Sequence, residues 1–171
     1  TCALPIYLRE GSVGSMLSVS GVKKVKAVQK IAVEESRLGI PLLFGLDVIH
    51  GFKTLSPIPL AEAASWDLDA IKKSAAMAAE EASSVGINWT FAPMVDIARD
   101  ARWGRVMEGA GEDTYLGSKI AVARIQGFQG DLKSNKNILA CAKHFAGYAF
   151  AEAGRDYNTV DVSESTLQNT I

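Results

Sequence analysis

A chain of 171 residues, 48% of them hydrophobic and 22% charged, holds enough apolar material for the core of one domain and too much for a disordered segment. Its 18 Lys and Arg against 19 Asp and Glu leave a net charge of −1, which removes the basic footprint of a nucleic-acid binder. No apolar run approaches the roughly 18 residues of a membrane helix; two cysteines are too few for a disulfide framework, and two histidines without a Cys/His cluster argue against a metal site.

The first residues, Thr1 to Tyr7, fit no element that follows, and Ala3-Leu-Pro-Ile6 is a tetrapeptide that one frame of a common sequencing adapter encodes. Residues 1–10 therefore read as a leader foreign to the domain, and 11–171 as the domain proper. Gly11 to Leu17 is short, apolar and flanked by small residues, as a strand should be. Val22 to Leu38 carries apolar residues at helical spacing (Val22, Val25, Val28, Ile31, Ala32), with Gly39 as the stop. Pro41 to Leu46 reads as a buried strand with Asp47 at its carboxyl end. Gly51 to Ala64 reads as loop. Asp67 caps an Ala-rich helix that runs to about Val85 and stops at Gly86.

Asn88 to Val95 reads as the third strand and Tyr115 to Phe128 as the third helix. Between them lies a stretch with Arg99, Arg102, Trp103 and Arg105 among five carboxylates, too polar to pack and suited to bind something polar. Carboxylates, forked guanidinium groups and a flat aromatic face together fit a sugar better than a phosphate. Ile138 to Ala142 reads as the fourth strand, which makes Cys141 a buried thiol, and it ends in Lys143-His144-Phe145. A loop from Gly147 to Asp161 and a helix beginning at Ser163 complete the order.

Strand and helix thus alternate four times, and the strands are continuous apolar runs, as expected when both faces are covered. Polar residues gather after the strands: Asp47, Asp96 to Asp113, Lys143 and His144. In a (β/α) barrel all of these sit on the carboxyl face, where such folds keep their sites. Asp47 can accept from two neighbouring hydroxyls, with His50 close by. Lys143 and His144 point to opposite sides of a regular strand, so both face a ligand only where the backbone departs from β geometry. Arg155-Asp156-Tyr157 lies on a loop that permits ligand contact. Glu112 and Asp113 precede a helix, where acids favour the amino-terminal dipole, and read as structural.

Three motifs in series carry a family resemblance: Gly45-Leu-Asp-Val-Ile-His-Gly51; Arg99-Asp-Ala-Arg-Trp-Gly-Arg105 with Gly111-Glu-Asp113; and Ala142-Lys-His-Phe145, continued by Gly154-Arg-Asp-Tyr-Asn-Thr-Val-Asp161. The chain resembles glycoside hydrolase family 3, in particular its bacterial periplasmic β-glucosidase branch, from about Gly11 to Ile171. The resemblance implies an α/β fold, the amino-terminal part (about four βα units) of a (β/α)8 TIM-type barrel with parallel strands, truncated at its carboxyl end. It implies that Asp47, Arg105, Lys143 and His144 hold the innermost sugar, with Arg155 as a further basic contact, and that the Lys143–His144 peptide is cis.

The family is retaining, a chemistry that needs two carboxyl groups about 5–5.5 Å apart. The family's nucleophile stands in a Ser-Asp-Trp-like motif that this sequence lacks, so the nucleophile and the acid/base are expected beyond Ile171 and no catalytic residue is expected within the chain. The implied activity is a retaining β-glucosidase-type exo-hydrolase, needing no cofactor and no metal, periplasmic or secreted, whose partners are a carbohydrate substrate, the rest of the barrel and a following α/β domain. Alternatives are a β-xylosidase or N-acetylglucosaminidase of the same family, and a non-catalytic carbohydrate-binding half-barrel.

Overall fold

The computed structural model describes residues 3–170. Thr1 and Cys2 of the expected leader, and Ile171, lie outside the described residues. Helix α1, Leu4–Glu10, opens the described chain with Pro5 in its first turn and Gly11 as a left-handed cap. Leu8 is buried in the main core, and Arg9 bonds Glu35. The expectation that these residues fit no element is thereby corrected: a single apolar face, Leu4 and Leu8 at i and i+4, suffices to dock a two-turn helix.

Three strands form a parallel sheet in chain order: β1 (Ser15–Leu17), β2 (Leu43–Leu46) and β3 (Trp89–Thr90). Each is shorter than the apolar run that announced it. The expected fourth strand, 138–142, is present as a parallel neighbour of the 88–95 segment without a continuous ladder. Leu139 bridges Trp89 and Lys143 bridges Met94, with Cys141 N–H bonded to the Ala92 carbonyl between them. Pro93 interrupts the segment because it has no N–H to donate, although its carbonyl accepts from Lys143. Cys141 is half-buried rather than buried.

Helix α2 (Val22–Lys30) passes into a π-helical turn, Ile31–Glu35, and the chain leaves helical geometry at Ser36, earlier than Leu38. Ser36 Oγ bonds the Ala32 carbonyl and accepts from Gly39 N–H, closing the turn from within. A short helix α3, Pro59–Ala64, occupies the region expected to be loop. Pro59 is pre-set for a first helical position, where its missing N–H costs nothing. Helices α4 (Leu68–Ser83) and α5 (Thr114–Gln129) start on Asp67 and Asp113, whose side chains accept from Ala70 and Leu116 N–H. Asp113 therefore has the structural role expected of it. Buried Ile71, Ala75, Ala78, Ala79 and Ala82 share one face of α4. A Cβ on Gly127 of α5 would lie 2.4 Å from the Lys72 carbonyl oxygen, so only glycine permits so close a crossing. Helix α6, Glu164–Thr170, ends the described chain.

The core lies between the sheet and these helices. Phe44 and Val48 from around β2, Ile87 and Ala92 from around β3, Ile138, Phe128 and the Ala face of α4 meet there with Leu8 and Ala32. Beneath the loop after β2 runs a charged layer. Arg124 on α5 pairs with Glu62 on α3, with 5% and 6% of the two side chains exposed, and a second guanidinium nitrogen donates to the Ile49 carbonyl. Glu62 also accepts from Ser74 on α4. Burial pulls the Arg124 pKa downward while the Glu62 carboxylate opposes it. Removing one partner of such a pair strands the other in a dry interior, at about 3–5 kcal/mol. Arg124→Met should therefore lower stability by about that amount in urea denaturation, and the double change Arg124→Met with Glu62→Met should recover part of the loss.

Candidate active site

The carboxyl ends of the parallel strands open into a cleft of about 900 Å³, lined by Asp47, Arg105, Lys143, His144, Tyr148 and Asp156 among others. Asp47 follows β2 directly, and Lys143 follows the segment beside β3. Parallel pairing brings both to the same end of the sheet, where Lys143 Nζ lies 3.1 Å from Asp47 Oδ1. The Asp47 loop is anchored on either side. Val48 N–H donates to Thr90 Oγ1, Arg124 holds the Ile49 carbonyl, and Glu81 accepts from Lys53 N–H, Thr54 N–H and Thr54 Oγ1. Those Thr54 and Lys53 bonds hold the Glu81 carboxyl below its ordinary pKa. Gly51, at φ 88°, turns the loop where a Cβ would lie 2.0 Å from the Thr54 carbonyl oxygen. His50 sits to the side, its Nδ1 3.3 Å from the Ser56 carbonyl, and lines a neighbouring recess of about 280 Å³.

Of the three arginines in the polar stretch, Arg105 alone lines the cleft. Arg102 is 70% exposed and pairs with Asp100, whose carboxyl it holds down at about 2. Trp103, 1% exposed, drives into a small core with Met94, Ala98 and Ala149 and so fixes the loop. Arg105 makes a two-pronged bond to Glu108, Nε to Oε1 at 2.7 Å and Nη2 to Oε2 at 2.8 Å. That pairing pushes the arginine's pKa further up. The guanidinium also lies over the Tyr148 ring, 5.7 Å from its centroid, a cation–π contact.

Lys143 and His144 both line the cleft, as the bend required of the backbone there implied; the peptide between them is cis. His144 Nδ1 lies 2.9 Å from Asp96 Oδ2. Tyr148 packs edge-on against both His144 and Trp103. Its hydroxyl donates to Asp156 Oδ1, which also accepts from Trp103 Nε1 at 3.1 Å. The Tyr148 bond, with that from Trp103, lowers the Asp156 pKa; burial, with the Asp156 bond, raises that of Tyr148.

Arg155 is the sequence candidate that the fold does not bring in. Its side chain is exposed and absent from the cleft wall. Gly154, at φ 68°, seats against the backbone of Arg102 and Trp103, and the next residue to turn inward is Asp156 rather than Arg155. Tyr148 was not expected in the site, and Asp96, Glu108 and Asp156 were read only as members of polar stretches, without a role of their own. Asp96 carried a usable signal, since it ends the apolar run after Trp89 just as Asp47 ends the run after Pro41.

Chemically, the cleft offers forked and point-charge donors (Arg105, Lys143), carboxylate acceptors (Asp47, Glu108, Asp156) and aromatic surface (Tyr148, Tyr157). Every one of those three carboxylates already has a protein partner. Such a surface can hold hydroxyl groups; none of its carboxylates stands free to attack carbon.

Residues 6–171 match the glycosyl hydrolase family 3 N terminal domain. The periplasmic β-glucosidase of Salmonella typhimurium is 41% identical over 168 residues, covering 98% of this chain and 22% of that protein. A β-xylosidase of Formosa agariphila is 35% identical over 159 residues, 85% of this chain and 22% of the relative. Among solved structures, a β-glucosidase from Listeria innocua in complex with glucose superposes with a TM-score of 0.86 at 45% identity, covering 90% of this chain and 22% of that one. The chain spans about a fifth of the length of these relatives, each matched over 22%. The parallel α/β units are those of the TIM-type barrel that forms the amino-terminal domain of such enzymes. The chain belongs to glycosyl hydrolase family 3.

Proposed function

We propose that this chain forms the sugar-holding part of a retaining β-glucosidase-type exo-hydrolase acting on the terminal glucose-like unit of β-glucosides or oligosaccharides. The convergence of Asp47, Arg105, Lys143 and His144 on one open cleft carries the reading. The Asp47 carboxylate accepts from adjacent sugar hydroxyls, Lys143 and Arg105 donate to them, and Tyr148 or Tyr157 offers an apolar face to the ring. The two reacting carboxyl groups come from outside the described residues, because the cleft carboxylates here are engaged with Lys143, with Arg105, and with Tyr148 and Trp103. The remainder of the barrel and a following α/β domain supply them. A periplasmic or secreted location is supported by the name of the Salmonella relative. The likeness to the Formosa β-xylosidase favours a second reading, a pentose-specific enzyme on the same scaffold.

The experiment compares p-nitrophenyl β-glucoside with the xyloside, using a protein that carries this chain together with the rest of the barrel and the next domain. Faster turnover of the glucoside with retention at the anomeric carbon is expected; preference for the xyloside selects the second reading. In that protein Asp47→Ala removes an acceptor bond to a sugar hydroxyl. A bond to a charged group contributes about 1.5–3 kcal/mol, so kcat/KM should fall about ten- to a hundred-fold. A fall confined to KM would make Asp47 a uniform binder of ground and transition states. The 171-residue chain alone should bind glucose without hydrolysing the aryl glucoside, and turnover by the chain freed of host enzyme would place the reacting carboxylates within it.

A further inference from the structure

We infer that Asp96 is a positioning residue that fixes the tautomer and ring plane of His144, so that the ring meets a sugar hydroxyl through Nε2; the sugar-contact half of this inference rests on the reading given above. The Asp96 side chain is 1% exposed and takes no part in the cleft wall. Its Oδ2 accepts twice from one residue, from the backbone N–H of His144 at 3.1 Å and from the ring Nδ1 at 2.9 Å. An oxygen already accepting a backbone N–H is a poor seat for a proton. The carboxylate is therefore the acceptor, and Nδ1 carries the hydrogen. The bond at one ring nitrogen decides the state of the other. In the neutral ring, Nε2 is left bare, as an acceptor.

His144, by contrast, lines the cleft with 30% of its side chain exposed. With the Nδ1 end of the ring tied to a buried carboxylate, the opposite end, Nε2, is the polar atom turned to the open side. The plane is held from two further directions. Tyr148 packs edge-on at 4.6 Å between centroids, and Val95 N–H bonds the Lys143 carbonyl at 2.7 Å, securing the backbone next to the histidine. Asp96 Oδ1 is buried without a hydrogen-bond partner among the described residues. Buried polar atoms left unsatisfied are few in folded proteins and ask for a reason. Both bonds that Asp96 makes go from Oδ2 to His144, one to its backbone and one to its ring. The cleft then presents an acceptor at His144 beside the donors Lys143 and Arg105, so that a hydroxyl giving its hydrogen to Nε2 can receive one from a neighbouring cation.

The test reads the ring directly. The chain has two histidines, so a proton–nitrogen correlation spectrum of the imidazole groups resolves both, with His144→Gln giving the assignment. At a pH where the ring is neutral, His144 should carry its hydrogen on Nδ1 alone. Asp96→Asn should keep that tautomer, because the amide oxygen still accepts from Nδ1, whereas Asp96→Leu should lose it. Glucose affinity should follow the tautomer: near wild type in Asp96→Asn, and about ten- to a hundred-fold weaker in Asp96→Leu. A wild-type His144 protonated on Nε2 overturns the inference without recourse to any variant. So does an Asp96→Leu protein that binds glucose as tightly as wild type. If the tautomer is as expected yet wild type binds no sugar, the sugar-binding reading falls and the assignment of the tautomer stands.

Discussion

Beneath the loop that follows β2, the Glu62 carboxylate and the Arg124 guanidinium face each other with almost no access to water. Four parts of the chain depend on that contact. Glu62 lies on α3, Arg124 on α5, Ser74 on α4 donates to the carboxylate, and the Ile49 carbonyl receives the second guanidinium branch. Ser74 Oγ also bonds Ser56 Oγ, and Ser56 N–H closes on the His50 carbonyl, so both ends of the loop are reached. A dry ion pair is weak evidence for net stability, because desolvation cancels much of the attraction. Its geometric effect is plainer. It ties the loop carrying Asp47 to α3, α4 and α5 through the Ile49 carbonyl and Ser56.

Within the cleft the charges are satisfied in pairs before any ligand arrives. Asp47 faces Lys143, Glu108 faces Arg105, and Asp156 takes bonds from Tyr148 and Trp103. A hydroxyl both donates and accepts, so it can insert into such a pair without stranding either charge. A phosphate would instead meet three carboxylates. Charge-assisted bonds to fixed groups are also the strong ones, and here they are spread over segments that the core holds rigid. Aromatic packing supplies part of that rigidity: Trp103, Tyr148 and His144 stack edge to face in succession. The 147–161 loop is thereby fastened to the arginine loop across the mouth of the site.

Much of the architecture was legible in the sequence because it rests on local chemistry. Apolar runs ending in a single polar residue marked the strands and the face on which ligand groups collect. Asp67 announced the start of α4 as a cap and Asp113 that of α5 as an acid at the amino-terminal dipole; in the fold both side chains accept from an amide three residues away. Asp47, Lys143 and His144 were expected at the site from their positions after apolar runs and, like Arg105, from the motifs that resemble the family; the fold brings all four to one cleft. Helix α3 and helix α1 were not found. Each is too short to show a period, and each is helical chiefly because a neighbour covers it: Glu62 through Arg124, Leu8 through the main core.

The sequence by itself determined which side chains stand at strand ends, because side-chain type and order are intrinsic to the chain. What it could not determine is which of them face one another. Arg155 and Asp156 are equally polar neighbours on one loop, yet the fold turns Asp156 to the cleft and Arg155 to solvent. That choice is made by Gly154 seating on Arg102 and Trp103, a contact between residues some fifty positions apart. Asp96 likewise meets His144 across 48 positions. Hydrogen bonds and ion pairs depend on distances of a few ångströms, and for residues so far apart in the chain only the packed tertiary structure sets those distances.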